Sequence, residues 1–308
     1  MSARDPFATY RTRMEALGFQ PSRRLGQNFL LAPELHRLIA DTGQVGPGDI
    51  ALEVGAGLGF LTRELAARAA VVVAVEIDPR LCQLLREDLS RVPHGEKVVL
   101  VPGDVLAAKS ALAPAVADAI AQARASHPGA ALRVVANLPY AITGPALAAL
   151  ICDLEPMPAT MAILIQAEVG ERLCAEPGTA AYGSLSVLVQ ARYRPRQVRR
   201  VGSEVFRPRP NVDSVIVALE PGPASGPDAR APGERRGFAN FVRALFSGRR
   251  KKVRHTFPLA CAAAGLSAAS GAARGEAGPA PAPWSEMRPA EMSAAAFAEL
   301  WAATQAET

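Results

Sequence analysis

The chain has 308 residues, a formal net charge of +5 and a sequence pI near 9.3, and 49% of its residues are hydrophobic. That length allows one large domain plus a smaller one with ample apolar material for a core, and no apolar run reaches the roughly 18 residues that suggest a membrane span. Cys82, Cys152, Cys174 and Cys261 lie far apart with no C-x-x-C pair, which excludes a disulfide scaffold and a thiolate metal site and reads them as reduced, buried small side chains.

The first twenty residues mix Asp5 and Glu15 with arginines and lack an apolar stretch, so neither a secretory signal nor an organellar presequence is predicted. Pro33 to about Thr42 has the pattern of a helix. Ile50-Ala51-Leu52-Glu53-Val54 reads as a buried strand, followed by Gly55-Ala56-Gly57-Leu58-Gly59 and a helix start at Phe60. Strand, tight glycine turn and helix form the frame of a nucleotide-binding βα unit. The spacing is G-x-G-x-G, however, and not the G-x-G-x-x-G of dinucleotide enzymes. The next strand, Val71 to Val75, ends at Glu76, whose carboxylate suits both hydroxyls of a ribose. A helix from Pro79 to about Arg91 leads to the strand Val98 to Val101 and then to Gly103-Asp104, where a carboxylate can accept from an adenine amine.

Further on, the apolar run Val134-Val135-Ala136 opens into Asn137-Leu138-Pro139-Tyr140. In open α/β sheets the ligand crevice lies outside the carboxyl ends of the strands, so an amide, a kinked backbone and an aromatic ring meet where a flat base could be gripped. An adenine N6 amine is a poor nucleophile because its lone pair is delocalised into the ring. The Asn137 side-chain oxygen and the Leu138 carbonyl, freed as the chain turns into Pro139, can each accept an N6–H bond. Two acceptors bias the nitrogen toward the tetrahedral shape of attack, and Tyr140 offers a ring face worth about 1–3 kcal/mol of stacking per base. Holding amine and methyl group in a near-attack geometry supplies much of the barrier reduction, and neither a general base nor a metal is required. Alone, the four residues describe an ordinary strand-to-helix turn, with Thr143 as cap and Pro145 in the first turn.

The upstream residues change that balance. Glu76, Asp104 and Asn137 fall in order at successive strand ends, and solvation at strand tips explains each of them but not the set. S-adenosylmethionine fits this cradle better than NAD, because it carries ribose and adenine without a pyrophosphate and so does not need the third glycine of the dinucleotide fingerprint in its usual place.

Strands and helices alternate through residue 170, the pattern of a doubly wound parallel sheet. Ala162 to Gln166 reads as the next buried strand, and Leu185 to Tyr193 and Val212 to Leu219 as later strands, with Arg207 to Pro210 a Pro-rich loop. Pro221 to Gly233 is rich in Pro and Gly and reads as a linker. The expected organisation is a catalytic domain over 1–220 with an N-terminal helical extension, a linker over 221–233, and a C-terminal helical domain over 234–308. In the last, Phe238, Phe241, Val242, Leu245 and Phe246 recur at helical spacing and form a core stripe. Ala262 to Pro283 is Ala/Gly/Pro-rich and loose, and a final helix lies near Ala290 to Ala302. Basic clusters at Arg11-Arg13, Arg23-Arg24, Arg192 to Arg200 and Arg249 to Arg254 favour phosphate contact in a chain that also holds an adenine site.

The motifs together resemble those of the ribosomal RNA adenine dimethyltransferases. The resemblance runs from about residue 22 to 255, through Arg24-Leu25-Gly26-Gln27-Asn28-Phe29-Leu30, the glycine turn, Val75-Glu76-Ile77-Asp78, Gly103-Asp104, Asn137 to Tyr140, Tyr182-Gly183-Ser184-Leu185-Ser186-Val187, and Phe206 to Ser214. Leu138, the Tyr182 segment and the Phe206 segment are more similar to the KsgA-type small-subunit enzymes than to the Erm-type resistance methylases. The resemblance implies a Rossmann-like, doubly wound methyltransferase sheet with a small helical C-terminal domain, using S-adenosylmethionine. By similarity, Asn28 and Leu30 contact the methionine end of the cofactor, Gly55 and Gly57 line its pocket, Glu76 holds the ribose and Asp104 the adenine. Asn137 serves both cofactor surroundings and target amine, Tyr140 stacks on the flipped base, and Phe206 either closes its other face or is a packing plug. The implied substrate is two adjacent adenosines in a hairpin loop near the 3′ end of small-subunit rRNA within an immature subunit, methylated by a cytoplasmic, metal-free monomer. Ala56, Ala141, Ser184 and His255 depart from common residues of the family, which bears on substrate detail and not on the reaction. An Erm-type enzyme of large-subunit rRNA and a non-catalytic RNA-binding assembly or transcription factor are the alternatives; an NAD dehydrogenase ranks below both.

Overall fold

A computed structural model describes residues 6–22, 26–108, 110–222, 232–266 and 279–306. The elements in chain order are α1 (Pro6–Ala16), β1 (Phe29–Leu30), α2 (Pro33–Thr42), β2 (Ile50–Val54), α3 (Phe60–Ala66), β3 (Val71–Glu76), α4 (Pro79–Leu89), β4 (Val98–Pro102), β5 (Leu106–Ala108), β6 (Ala111–Leu112) and α5 (Pro114–Ser126). They continue with β7 (Leu132–Asn137), α6 (Thr143–Cys152), β8 (Thr160–Gln166), α7 (Ala167–Leu173), α8 (Ser184–Gln190), β9 (Tyr193–Val201), β10 (Phe206–Arg207), β11 (Ser214–Pro221), α9 (Pro232–Phe246), α10 (Phe257–Ala263) and α11 (Ala294–Ala306).

The central sheet has seven strands in the order β4-β3-β2-β7-β8-β11-β9. Strands β2, β3, β4, β7 and β8 pair in parallel, so the doubly wound sheet expected from the alternation is present. Every residue of β2 and β3 is buried, which is why these strands read as near-continuous apolar runs: parallel strands are covered on both faces. Helices α2 and α3 bring Leu35, Ile39, Leu61 and Leu65 into the same buried cluster as Ala51, Val72, Val135 and Ala162. The chain runs outward from β2 to β4 and then restarts on the other side of β2 with β7. Strands β2 and β7 therefore flank the point where the winding reverses, with Ile50 opposite Leu132 and Leu52 opposite Val134.

Helix starts follow local chemistry. Asp78 caps α4 by accepting from the Arg80 N–H at 2.9 Å, with Pro79 in the first helical position, a pairing that satisfies one orphan donor and pre-sets φ. Helix α1 brings Tyr10 and Met14 against Phe19, Phe29, Leu58, Leu81 and Leu84. The Tyr10 hydroxyl donates to Asp88 Oδ2 at 2.7 Å, and Arg13 pairs with the same carboxylate.

One expected strand is a helix. Residues from Leu185 lie in α8, and the strand begins only at Tyr193. A continuous apolar run is shared by buried strands and buried helices. Here Ser186 decides between them: its Oγ accepts from the Gly183 N–H at 3.0 Å and donates to the Arg172 carbonyl at 2.6 Å, closing the first helical turn. The linker expected over 221–233 and the loose stretch over 262–283 fall largely outside the described residues.

The chain divides into two compact units: Met1–Ala149, Glu155–Gly170 and Gln197–Ala218 form the first, and Leu150–Leu154, Glu171–Arg196 and Leu219–Thr308 the second. Within the second, the Phe238 and Phe241 rings lie against Trp301, and Phe246 stacks on Phe297, so the stripe read from helical spacing is a core. Buried Arg235 donates from Nε to the Cys152 carbonyl at 3.1 Å and from a terminal nitrogen to the Leu154 carbonyl at 2.7 Å. Removing it strands those carbonyls and opens a void. Arg235→Ala is expected to destabilise this unit by about 3 kcal/mol. Urea unfolding followed by tryptophan fluorescence checks this, because both tryptophans, Trp284 and Trp301, belong to the second unit; an unchanged midpoint contradicts it.

Candidate active site

The site starts at the carboxyl end of β2. Gly55 and Ala56 both donate backbone N–H bonds to the Val75 carbonyl, at 2.9 and 3.0 Å, which folds the turn across the end of β3. Gly55, Gly57 and Gly59 all have positive φ, at 80°, 56° and 73°, a region that side chains with a Cβ rarely enter. A Cβ on Gly59 would also lie 2.4 Å from Leu85 Cδ1. The turn is thus fixed by backbone geometry and by the helix packed beneath it.

Glu76 closes that turn from the neighbouring strand. Its Oε2 accepts the Gly57 N–H at 2.8 Å and its Oε1 accepts the Asp78 N–H at 2.9 Å, while the residue is only 4% exposed. Burial raises its pKa and the two backbone donors oppose that rise. Each oxygen keeps a lone pair for a further donor. Asp104, after β4, is exposed, and its Oδ1 accepts the Leu106 N–H at 2.9 Å.

At the end of β7, the Asn137 amide donates to the Asn28 carbonyl at 3.3 Å, which leaves its Oδ1 as an acceptor. The Leu138 N–H completes the ladder to the Leu164 carbonyl at 3.1 Å, and the Pro139 carbonyl accepts from Ile142 N–H and the Thr143 hydroxyl. The Tyr140 hydroxyl shares a short hydrogen bond with Ser214 Oγ. Burial raises the Tyr140 pKa, so the ring stays a neutral phenol at physiological pH. Gly26 permits this assembly: its φ is +64°, and a Cβ there would lie 3.2 Å from the Tyr140 nitrogen.

A cavity of about 80 Å³ brings most of the sequence-derived residues together: Asn28, Leu30, Gly55, Gly57, Glu76, Asn137, Leu138, Pro139 and Tyr140 all line it. Asp104 lines a separate recess of about 90 Å³ that shares Gly55, Ile77 and Pro139 with the first. Phe206 lines neither. It is fully buried, opposite Leu30 in the β1–β10 pair and within the same apolar cluster, so in this structure it packs the core and does not face a base. The reason is its register: Arg207, next along, takes the outward position.

Among the other residues that line the first cavity, His36, Glu53, Phe60 and Ile77 were given no role there by the sequence reading. Glu53 had a signal, since a carboxylate in the middle of an all-buried strand is rare unless it is paired or functional. It is 1% exposed, its Oε2 has no hydrogen-bond partner among the described residues, and burial pushes its pKa up to about 8, with the nearby Glu76 adding to the rise. His36 stacks on Phe60, and burial lowers its pKa to about 4. Among the described residues no lysine or arginine lines this cavity. Acidic side chains with no described cation beside them suit a cationic ligand better than a diphosphate.

The sequence model of the family described as ribosomal RNA adenine dimethylase matches residues 18–269. The chain is 42% identical over 236 residues to the ribosomal RNA small subunit methyltransferase A of Moorella thermoacetica, covering 77% of this chain and 78% of that one. It is 40% identical over 245 residues to the protein of the same name from Pediococcus pentosaceus, covering 79% and 77%. Among solved structures, a dimethyladenosine transferase from Plasmodium falciparum superposes with a TM-score of 0.65 at 22% identity over 90% of this chain and 97% of its own. The 23S rRNA methyltransferase ErmE gives 0.56 at 25% identity over 90% and 99%.

The two perturbed groups set opposite pH trends. A Glu53 carboxyl that keeps its proton to about pH 8 in the fold, against 4.5 as the ordinary value, makes stability fall as pH rises through that window. His36, held neutral by the fold down to about pH 4 against 6.5, makes stability fall as pH drops through its own. Glu53→Gln keeps the shape and removes the first titration. Its melting temperature is expected to exceed that of the parent by several degrees at about pH 8, at about 1.4 kcal/mol per pKa unit, and by much less at about pH 5. Thermal melts across that range test this, and parallel curves for the two proteins would refute it.

Proposed function

Because the chain belongs to the ribosomal RNA adenine dimethylase family, we propose that it transfers methyl groups from S-adenosylmethionine to N6 of two adjacent adenosines in a hairpin loop near the 3′ end of small-subunit rRNA. The substrate is presented within an immature small subunit in the cytoplasm, and the enzyme acts as a monomer. The observation that carries this reading is the meeting of the glycine turn and Asn137 in one cavity at the reversal point between β2 and β7, where ligands of open α/β sheets bind. Relatives named for the small-subunit enzyme share about 40% identity with this chain, against 25% for ErmE, which favours the small-subunit substrate over the large.

The residues fit S-adenosylmethionine on their chemistry. Glu76 has lone pairs left for a ribose diol, Asp104 lines the apolar recess suited to adenine, and among the described residues the cavity holds carboxyl groups without a lysine or arginine. Asn28, Leu30, Gly55 and Gly57 wall the remaining side. When bound, the cofactor supplies an electrophilic methyl on a sulfonium. The protein's own part is positional: Asn137 Oδ1 and the Leu138 carbonyl accept the two N6 hydrogens, orienting the nitrogen lone pair, and the Tyr140 ring holds the base in plane. The amine proton leaves to water. Neutral, hydrogen-bonded Tyr140 is a stacking platform and not a base.

Asn137→Ala is expected to lower the single-turnover rate of methyl transfer at least a hundredfold, the scale seen when one preorganised polar contact to a reacting centre is lost. Tyr140→Ala is expected to raise the apparent KM for subunits by about 5- to 150-fold, from the loss of about 1–3 kcal/mol of stacking, while Tyr140→Phe keeps most of the affinity. Labelled methyl transfer to subunits lacking the modification measures both; full activity of Asn137→Ala would sink the assignment.

The basic clusters support RNA binding unequally. Arg194 and Arg199 are exposed along β9, whereas the equally exposed Arg196 and Arg200 pair with Glu220 and Asp213, Arg13 is engaged with Asp88, and Lys252 and Arg254 share Glu286. Arg23 and Arg24 lie outside the described residues. Phosphate contacts release counterions on binding, so affinity for small-subunit rRNA is expected to drop tenfold or more between about 50 and 200 mM salt. Filter binding or anisotropy across that range checks it, and a flat response contradicts it.

A further inference from the structure

A third cavity, of about 420 Å³, lies beside the cofactor-type cavity and shares Gln27, Asn28 and Tyr140 with it. Its volume falls within the roughly 300–1,000 Å³ of ligand clefts. Its other walls include Gln166, Arg209 and Asn211. If the proposed reaction is right, this is where the target base arrives, stacked on Tyr140 with N6 toward Asn137. A planar base held only by stacking and by its reacting amine is still free to turn in its own plane. Something must read another edge atom.

Several polar groups around this cavity are already engaged. Gln27 Oε1 accepts from the Ser22 N–H at 2.7 Å, and its Nε2 is buried with no hydrogen-bond partner among the described residues. Asn28 donates to the Gly26 carbonyl at 3.2 Å, the Tyr140 hydroxyl is bound to Ser214, and Arg209 Nε donates to Ser203 Oγ at 2.8 Å. Asn211 is exposed on the Pro-rich loop. Gln166 differs from these in combining a whole uncommitted carboxamide with a place on a sheet strand. It is half-buried, it ends β8 two residues beyond the Asn137–Leu164 pair, and its side-chain amide has no hydrogen-bond partner among the described residues. The next residue fixes its backbone, since the Ala167 N–H donates to the Asp213 carbonyl at 2.9 Å. A free carboxamide on a strand end is a more rigid reader than one on a loop.

From this geometry, and resting on the function proposed above, we infer that Gln166 is a substrate-positioning residue whose amide N–H donates to a ring nitrogen flanking the target amine, N1 or N7 of adenine. Carboxamides recognise adenine through just such donor and acceptor edges. At N1 the contact also refuses guanine, which presents a hydrogen there and a carbonyl toward Asn137 Oδ1.

The test is a cycle between the side chain and the atom it reads. Small subunits reconstituted with adenosine, 1-deazaadenosine or 7-deazaadenosine at the target are methylated in single turnover by the full-length wild type, Gln166→Ala and Gln166→Glu. On adenosine, Gln166→Ala is expected to lose roughly tenfold, the scale of one hydrogen bond, with melting temperature and S-adenosylmethionine affinity unchanged. Gln166→Glu, which offers only acceptors to a ring nitrogen, is expected to lose at least as much. On one of the two deaza substrates, wild type and Gln166→Ala are expected to react equally, because the partner atom is gone. An undiminished rate for Gln166→Ala on adenosine, or the same tenfold gap on all three substrates, overturns the inference while leaving the methylation reading intact. A wild type that binds cofactor yet methylates no subunit overturns the reading itself, and this inference with it.

Discussion

The site depends first on one buried carboxylate. Glu76 takes a backbone N–H from the glycine turn and another from Asp78, so a single side chain fixes the relation between the end of β2 and the end of β3. Without these donors its burial would be costly; with them, the turn has no freedom to drift. Everything further along inherits that placement. The parallel ladder from β2 to β7 sets Asn137 across from the turn, and the ladder from β7 to β8 sets Gln166 beyond Asn137. A ligand reaching both sides meets groups whose spacing is fixed by sheet register and not by loops.

Electrostatics at this junction run against the chain's overall balance. The protein as a whole is basic, yet among the described residues this cavity is lined by two carboxyl groups and no lysine or arginine. The two features fit two different partners, a polyanion outside and a small cation within.

Much of this was legible in the residues. The glycine spacing, Glu76 ending β3 and Asn137 ending β7 locate the pocket, and Asp104 after β4 the adjoining recess, because each sits where an apolar strand stops, and a strand that stops at a polar residue reads clearly in a parallel sheet. Burial in three dimensions is harder to read. Phe206 looked equally suited to a ligand or a plug, and only its pairing with Leu30 in a two-residue ladder decides for the plug. The segment after Gly183 carries the same apolar run whether helical or extended, and a capping hydroxyl settles it. Glu53 passed as part of a strand although its carboxyl faces the pocket, because one polar residue among apolar neighbours says nothing about which side it faces. Gln166 was invisible for the converse reason: its significance lies in lacking a partner.

The β1–β10 ribbon has a consequence of its own. Its two residue pairs join the segment carrying Asn28 and Leu30 to the loop that begins at Phe206 and runs on to Arg209 and Asn211. The rims of the two neighbouring cavities are therefore stitched by the same short seam. The backbone of either rim is tied to that of the other by two residue pairs, so neither wall is built independently of its neighbour.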